Sequence, residues 1–157
     1  MALGALALAL AGCGGGDPGP RVTRLTAGGV DVAMRLQPWD GSRGRVVATL
    51  TPERGFHLYG ADLPVGGLGG VGQRTRVTVG GALARTGRQR VDARVRLLRV
   101  TGVARPLPVY PEGPIRVTVP VRRARDGRAT VSLSYGACSR DSCQVPVVGR
   151  RVAVDVP

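Results

Sequence analysis

The sequence predicts an all-β protein, an immunoglobulin-like antiparallel β-sandwich. Three observations carry that prediction. Short Val-rich runs of five to eight residues, with apolar and polar side chains alternating, recur from residue 21 onwards. Turn-forming residues stand between them: Gly28-Gly29, Asp40-Gly41, Gly80-Gly81, Asp126-Gly127 and Gly149. No segment carries an apolar stripe at helical spacing. Two packed antiparallel sheets bury one face of each such strand. The chain of 157 residues suits one domain with one core. Aromatic residues are only 3%, so Val, Leu and Ala must fill that core.

Taken in order, residues 1–12 are apolar and uncharged. The run falls short of the roughly 20 residues a bilayer-spanning helix needs and reads as the apolar region of a secretory signal, although no Arg or Lys precedes it. Leu10-Ala-Gly-Cys13 looks like a bacterial lipobox, in which Cys13 is lipidated and becomes the mature N-terminus. Gly14-Gly-Gly-Asp-Pro-Gly-Pro20 is a flexible tether. The predicted organisation is a signal peptide over 1–12, a lipidated Cys and tether over 13–20, and a sandwich domain over 21–157. Strands are predicted at Arg21–Thr26, Val30–Leu36, Arg45–Thr51, Thr75–Val79, Arg94–Val100, Ile115–Val121, Thr130–Tyr135 and Arg151–Val156. The Gly-rich stretch Leu58–Gln73 is predicted as a surface loop.

The formal charge is +13, and all 23 basic residues are Arg. Such a balance raises nucleic acid as a partner. It is set aside because the arginines are spread along alternating strand positions with no aromatic platform among them. The densest group, Arg122, Arg123, Arg125 and Arg128, flanks a predicted turn and reads as a solvated face with a secondary role against anionic lipid.

The chemistry concentrates in Tyr135-Gly-Ala-Cys-Ser-Arg-Asp-Ser-Cys-Gln-Val-Pro146. Five extended steps would hold Cys138 and Cys143 roughly 16 Å apart. A disulfide needs Cα atoms about 4.4–6.8 Å apart, so the chain must turn within Ser139–Ser142 if the thiols are to meet. A four-residue hairpin loop does this. An exposed turn suits exchange, since a thiolate must reach the sulfur. A structural staple remains the plain alternative. Arg140 and Asp141 act in opposite directions on a neighbouring thiol.

This stretch resembles the active-site hairpin of the N-terminal extracytoplasmic domain of DsbD-type thiol:disulfide interchange proteins. Two further blocks, in the same order, are similar to that family: Gly55-Phe-His-Leu-Tyr-Gly-Ala-Asp-Leu-Pro64 continuing to Arg76, and Leu107–Val121. The resemblance implies an extracytoplasmic module, anchored to a membrane by its lipid, that passes electrons between a membrane thiol reductant and thioredoxin-fold partners, as in cytochrome c biogenesis. It makes Cys143 the residue that forms the mixed disulfide and Cys138 the one that resolves it. It places His57 and Tyr59 beside the hairpin and gives Val109 or Tyr110 the part of a cap over the cystine. Family members carry a membrane domain and a thioredoxin domain as well; this chain has neither and would be the isolated domain. No cofactor is implied. The competing expectations are a non-catalytic immunoglobulin-like binding module with a structural disulfide, and a metal-binding lipoprotein using His57, Cys138 and Cys143, which lacks a fourth ligand.

Overall fold

The computed structural model describes residues 21–157. The predicted signal segment, Cys13 and the tether lie outside the described residues. Thirteen strands follow one another: β1 (Thr23–Ala27), β2 (Val30–Trp39), β3 (Arg43–Pro52), β4 (His57–Leu58), β5 (Arg76–Gly81), β6 (Leu83–Arg85) and β7 (Arg90–Val91). The second half adds β8 (Arg96–Leu98), β9 (Leu107–Val109), β10 (Ile115–Arg123), β11 (Ala129–Tyr135), β12 (Ala137–Cys138) and β13 (Val147–Val154). No helix occurs among the described residues.

The strands form an antiparallel sandwich of the immunoglobulin-like kind. One sheet runs β1-β2-β3-β10-β6, with β7 also paired to β10, and the other runs β13-β11-β5. The alternation in the sequence is what builds the two layers. Val30, Val32, Met34 and Leu36 of β2 point inward, as do Ile115, Val117, Val119 and Val121 of β10. Val77 of β5 and Val131, Leu133 and Tyr135 of β11 meet them from the other sheet. Burying one such Val or Leu contributes about 1.5–3 kcal/mol, so this interface supplies most of the cohesion. At Gly80-Gly81 the chain leaves the small sheet and enters the large one, a corner where the sequence promised only a turn.

Three predicted elements differ, the last strand running Val147–Val154 in place of Arg151–Val156. Of Arg94–Val100 only Arg96–Leu98 is strand, and it pairs with β9 in a ribbon outside the sandwich, leaving Leu97 72% exposed. Leu58–Gln73 is not a plain surface loop. Leu58 belongs to β4, and Leu58, Tyr59 and Leu63 are buried. Leu58 joins the main core, while Tyr59 and Leu63 form a second, smaller core with Leu107, Val109 and Cys138.

Candidate functional site

The β11–β13 ladder carries the cysteine segment at one end of the sandwich. It pairs Thr130 with Ala153 and runs to Tyr135 opposite Val147, with an irregularity after Leu133. The predicted hairpin is present beyond that point, though it is not a continuation of the same ladder. Ala137-Cys138 turns away to pair with His57-Leu58, and Cys138 and Cys143 form an isolated antiparallel pair. Their sulfurs are bonded at 2.03 Å, with the Cα atoms 4.0 Å apart.

The four residues between them close on their own hydrogen bonds. The Ser139 N–H donates to the Ser142 carbonyl at 2.7 Å, and the Ser139 hydroxyl accepts from the N–H groups of Asp141 and Ser142. The Gln144 N–H donates to the Ala137 carbonyl at 2.9 Å. The base of the loop is fixed against the β1–β2 turn. The Tyr135 hydroxyl donates to the Ala27 carbonyl at 3.0 Å, and burial pushes that hydroxyl's pKa to about 12. Gly28 must be glycine twice over: its φ is +54°, and a Cβ there would fall 2.7 Å from the Val145 carbonyl oxygen.

The two sulfurs are in unlike places. Cys138 is only 6% exposed and packs in the smaller core, whereas Cys143 is exposed. The Tyr59 hydroxyl donates to the Cys138 Sγ at 3.1 Å. Tyr59 is itself held firmly: its carbonyl accepts from the Thr75 hydroxyl at 2.7 Å, and it bridges to Val109. Gly136 allows this approach, because a Cβ there would meet Gln73 at 3.2 Å and the Tyr59 ring at 3.3 Å. Burial raises the Tyr59 pKa above its ordinary value of 10.0, so the hydroxyl keeps its proton and remains a donor.

His57 stands opposite Cys138 in the β4–β12 register. Its ring meets that of Tyr59 edge-on, with centroids 5.8 Å apart, and its Nε2 has no hydrogen-bond partner. Burial, and secondarily the Arg96 guanidinium, hold its pKa below the ordinary 6.5, against a smaller opposing effect of Glu112. A neutral imidazole offers a thiolate no positive charge. Val109 shares the smaller core with Cys138. Tyr110 belongs to the main core and accepts the Ala61 N–H at 3.1 Å. Neither lines the cavity of about 430 Å³ that holds both cysteines. Its walls include Tyr59, Gly70, Val71, Gly72, Gln144 and Pro146. Reasoning from sequence did not assign the Gly70–Gly72 wall; its one signal was the density of glycines. Among the described residues no three His, Cys, Asp or Glu side chains gather as a metal site.

Fold and site together define a class: a small antiparallel sandwich with one accessible sulfur of a cystine in a hairpin at its end. The fold is that of the N-terminal periplasmic domain of ScsB from Proteus mirabilis, with a TM-score of 0.58 at 10% identity, over 84% of this chain and 49% of that one. This chain therefore spans about half the length of that domain. The reduced N-terminal domain of DsbD from Neisseria meningitidis aligns at a TM-score of 0.49 and 14% identity, over 77% and 90% of the two chains. The GAE domain of GGA2p from Saccharomyces cerevisiae aligns at 0.46 and 9% identity, over 87% and 98%. No family model and no curated protein matches the sequence. The likeness to the ScsB N-terminal domain is one of fold.

Proposed function

We propose that this chain is an extracytoplasmic thiol:disulfide interchange module whose Cys138–Cys143 bond exchanges with the cysteine pairs of thioredoxin-fold proteins. One observation carries the proposal: the sulfurs are unequal, Cys143 open to solvent and Cys138 buried under a tyrosine hydroxyl. Exchange is an in-line displacement through a mixed disulfide, so it needs one sulfur to attack and one able to leave. A partner thiolate attacks the Cys143 Sγ. The partner–Cys143 bond forms as the Cys143–Cys138 bond breaks, and the electron pair leaves on the Cys138 Sγ. The Tyr59 hydroxyl donates to that new thiolate, whose charge would otherwise develop in a buried place. The partner's second thiolate then attacks the partner's own sulfur and expels Cys143. The partner dithiol is thereby oxidised to a disulfide, and the cystine is reduced by two electrons and takes up two protons. In the reverse direction Cys143 attacks a partner disulfide and Cys138 resolves it.

The fold shared with a periplasmic domain supports an extracytoplasmic location. The proposal includes a leader over 1–12, an anchor on the lipidated Cys13 and a membrane thiol reductant as one partner. Cys138→Ser should accumulate a stable mixed disulfide through Cys143, while Cys143→Ser should trap little. The potential of the pair should lie above the roughly −300 mV below which structural disulfides resist reduction. A potential well below that, with no thioredoxin-fold protein captured by either variant, would make the bond a staple in a binding module.

A further inference from the structure

The spacing that makes the arginines look scattered in the sequence gathers them in the fold. On a strand, alternate residues share a face. In the large sheet the inward positions are taken by the core, and the outward ones form cross-strand rows. Arg24, Ala33, Thr49 and Arg116 make one row, and Arg35, Val47, Thr118 and Arg90 the next. Arg45 then stands beside Pro120, and Arg43 beside Arg122. Seven arginines therefore share one outer face: Arg24, Arg35, Arg43, Arg45, Arg90, Arg116 and Arg122, all exposed. The corresponding rows of the small sheet hold hydroxyls, Thr78, Thr130, Ser132 and Ser134, and only two arginines, Arg76 and Arg151.

Two details separate this face from an ordinary solvated one. Arg43 and Arg122 are direct cross-strand partners, an arrangement of like charges that destabilises a sheet. Among the described residues none of the seven is ion-paired; the salt bridges are Arg21 and Arg128 with Asp155. Between the strands and the β6–β7 loop lies a depression of about 600 Å³ lined by Arg45, Arg88, Arg90 and Thr118, with no carboxylate in its wall. Three guanidinium forks around a hydroxyl suit a phosphate group. Of the group singled out in the sequence, Arg122 belongs to this face, whereas Arg123 and Arg128 are engaged within the protein. Arg123 lies over the Trp39 ring and donates to the Gly41 carbonyl, and Arg128 meets Asp155.

We infer that the outer face of the large sheet is a docking surface for an anionic phospholipid bilayer. A broad array of guanidinium groups, in rows about 7 Å apart, matches a planar array of phosphates. The outward positions carry no aromatic ring on which bases could stack, which disfavours single-stranded nucleic acid. The inference does not depend on the cysteines or on the lipid anchor.

The test is co-sedimentation of the full chain carrying Cys13→Ser, which removes any lipid from the protein itself. The vesicles are phosphatidylglycerol and phosphatidylcholine in equal parts, compared with phosphatidylcholine alone. The protein should partition to the anionic vesicles and be released by salt. A triple Arg35→Gln, Arg45→Gln and Arg90→Gln variant should bind roughly a hundredfold more weakly, from the contribution of each basic residue near an anionic surface. Arg24→Gln with Arg116→Gln, on another row, should weaken binding roughly tenfold or more, and serves if the triple variant does not fold. Arg76→Gln with Arg151→Gln, on the opposite face, should bind as the parent does. Equal partition to both kinds of vesicle would overturn the inference, as would equal losses from the two faces. Displacement from the vesicles by an oligonucleotide at matched phosphate would assign the face to nucleic acid instead.

Discussion

Replacing Tyr59 by Phe removes one oxygen and keeps the ring that fills the smaller core. What is lost is the donor 3.1 Å from the Cys138 Sγ. A hydrogen bond to a charged acceptor contributes about 1.5–3 kcal/mol, and the pair is buried, so solvent does little to replace it. If that energy is spent on the thiolate, the Cys138 thiol should titrate about 1–2 units higher in the variant. With about half of the leaving charge developed in the transition state, attack on Cys143 should slow by about 3- to 10-fold. Two assays read these quantities. Ultraviolet thiolate absorbance against pH in a Cys143→Ser background gives the Cys138 titration with and without the hydroxyl. Stopped-flow reduction of the oxidised protein by a small dithiol gives the second-order rate. The parent and Tyr59→Phe should have similar denaturant midpoints in their oxidised forms. Equal titrations and equal rates would refute the assignment and leave Tyr59 as packing alone.

Three more outcomes follow from the geometry. The disulfide closes a six-residue ring of chain, for which loop-closure entropy gives only about 2 kcal/mol, so the Cys138→Ser, Cys143→Ser double variant should lose no more than that in urea unfolding. The folded His57 pKa lies below 6.5, so as pH falls through 6.5 the unfolded chain gains a proton that the native state refuses. The stability present above that pH should therefore decline below it, down to the depressed folded value, and His57→Phe should flatten this part of the profile of unfolding free energy against pH. Gly28→Ala meets both a positive φ and the Val145 carbonyl, and should cost about 1–3 kcal/mol by denaturant melt. Gly41→Ala, with φ +94° but nothing within 4 Å of the added carbon, should cost less.

Much of the sandwich was legible because its long strands obey one rule. In β2, β10 and β11 the inward residue is apolar at every second position, and nothing but a half-buried strand gives that pattern. The two- and three-residue strands β4, β6, β7, β9 and β12 were not legible, since such short pieces carry no period and exist only because a distant partner pairs with them. Arg96–Leu98 misled in the other direction, because a strand can pair through its backbone with β9 while all three of its own side chains stay exposed. At the site, the Cys spacing announced a turn. Which sulfur is buried depends on Leu63, Leu107 and Val109, each far away in the chain. The arginine face escaped notice because a linear scan looks for neighbours in sequence, whereas a sheet makes neighbours of every second residue on several strands.

The loop between the cysteines is held by the Ser139 and Ser142 backbone and by one serine hydroxyl, none of which is a sulfur. Opening the bond should therefore leave the turn closed and the thiols side by side, a condition of very high effective molarity. In the proposed exchange, once Cys143 is joined to a partner, Cys138 waits within reach to expel it. In the direction that re-forms the cystine, the lifetime of the linked complex would then be set within this chain rather than by the strength of the contact between the two proteins. On that proposal, partners would be met often, held briefly and released without a sticky interface, with turnover governed by the turn and selectivity by the surface around Cys143.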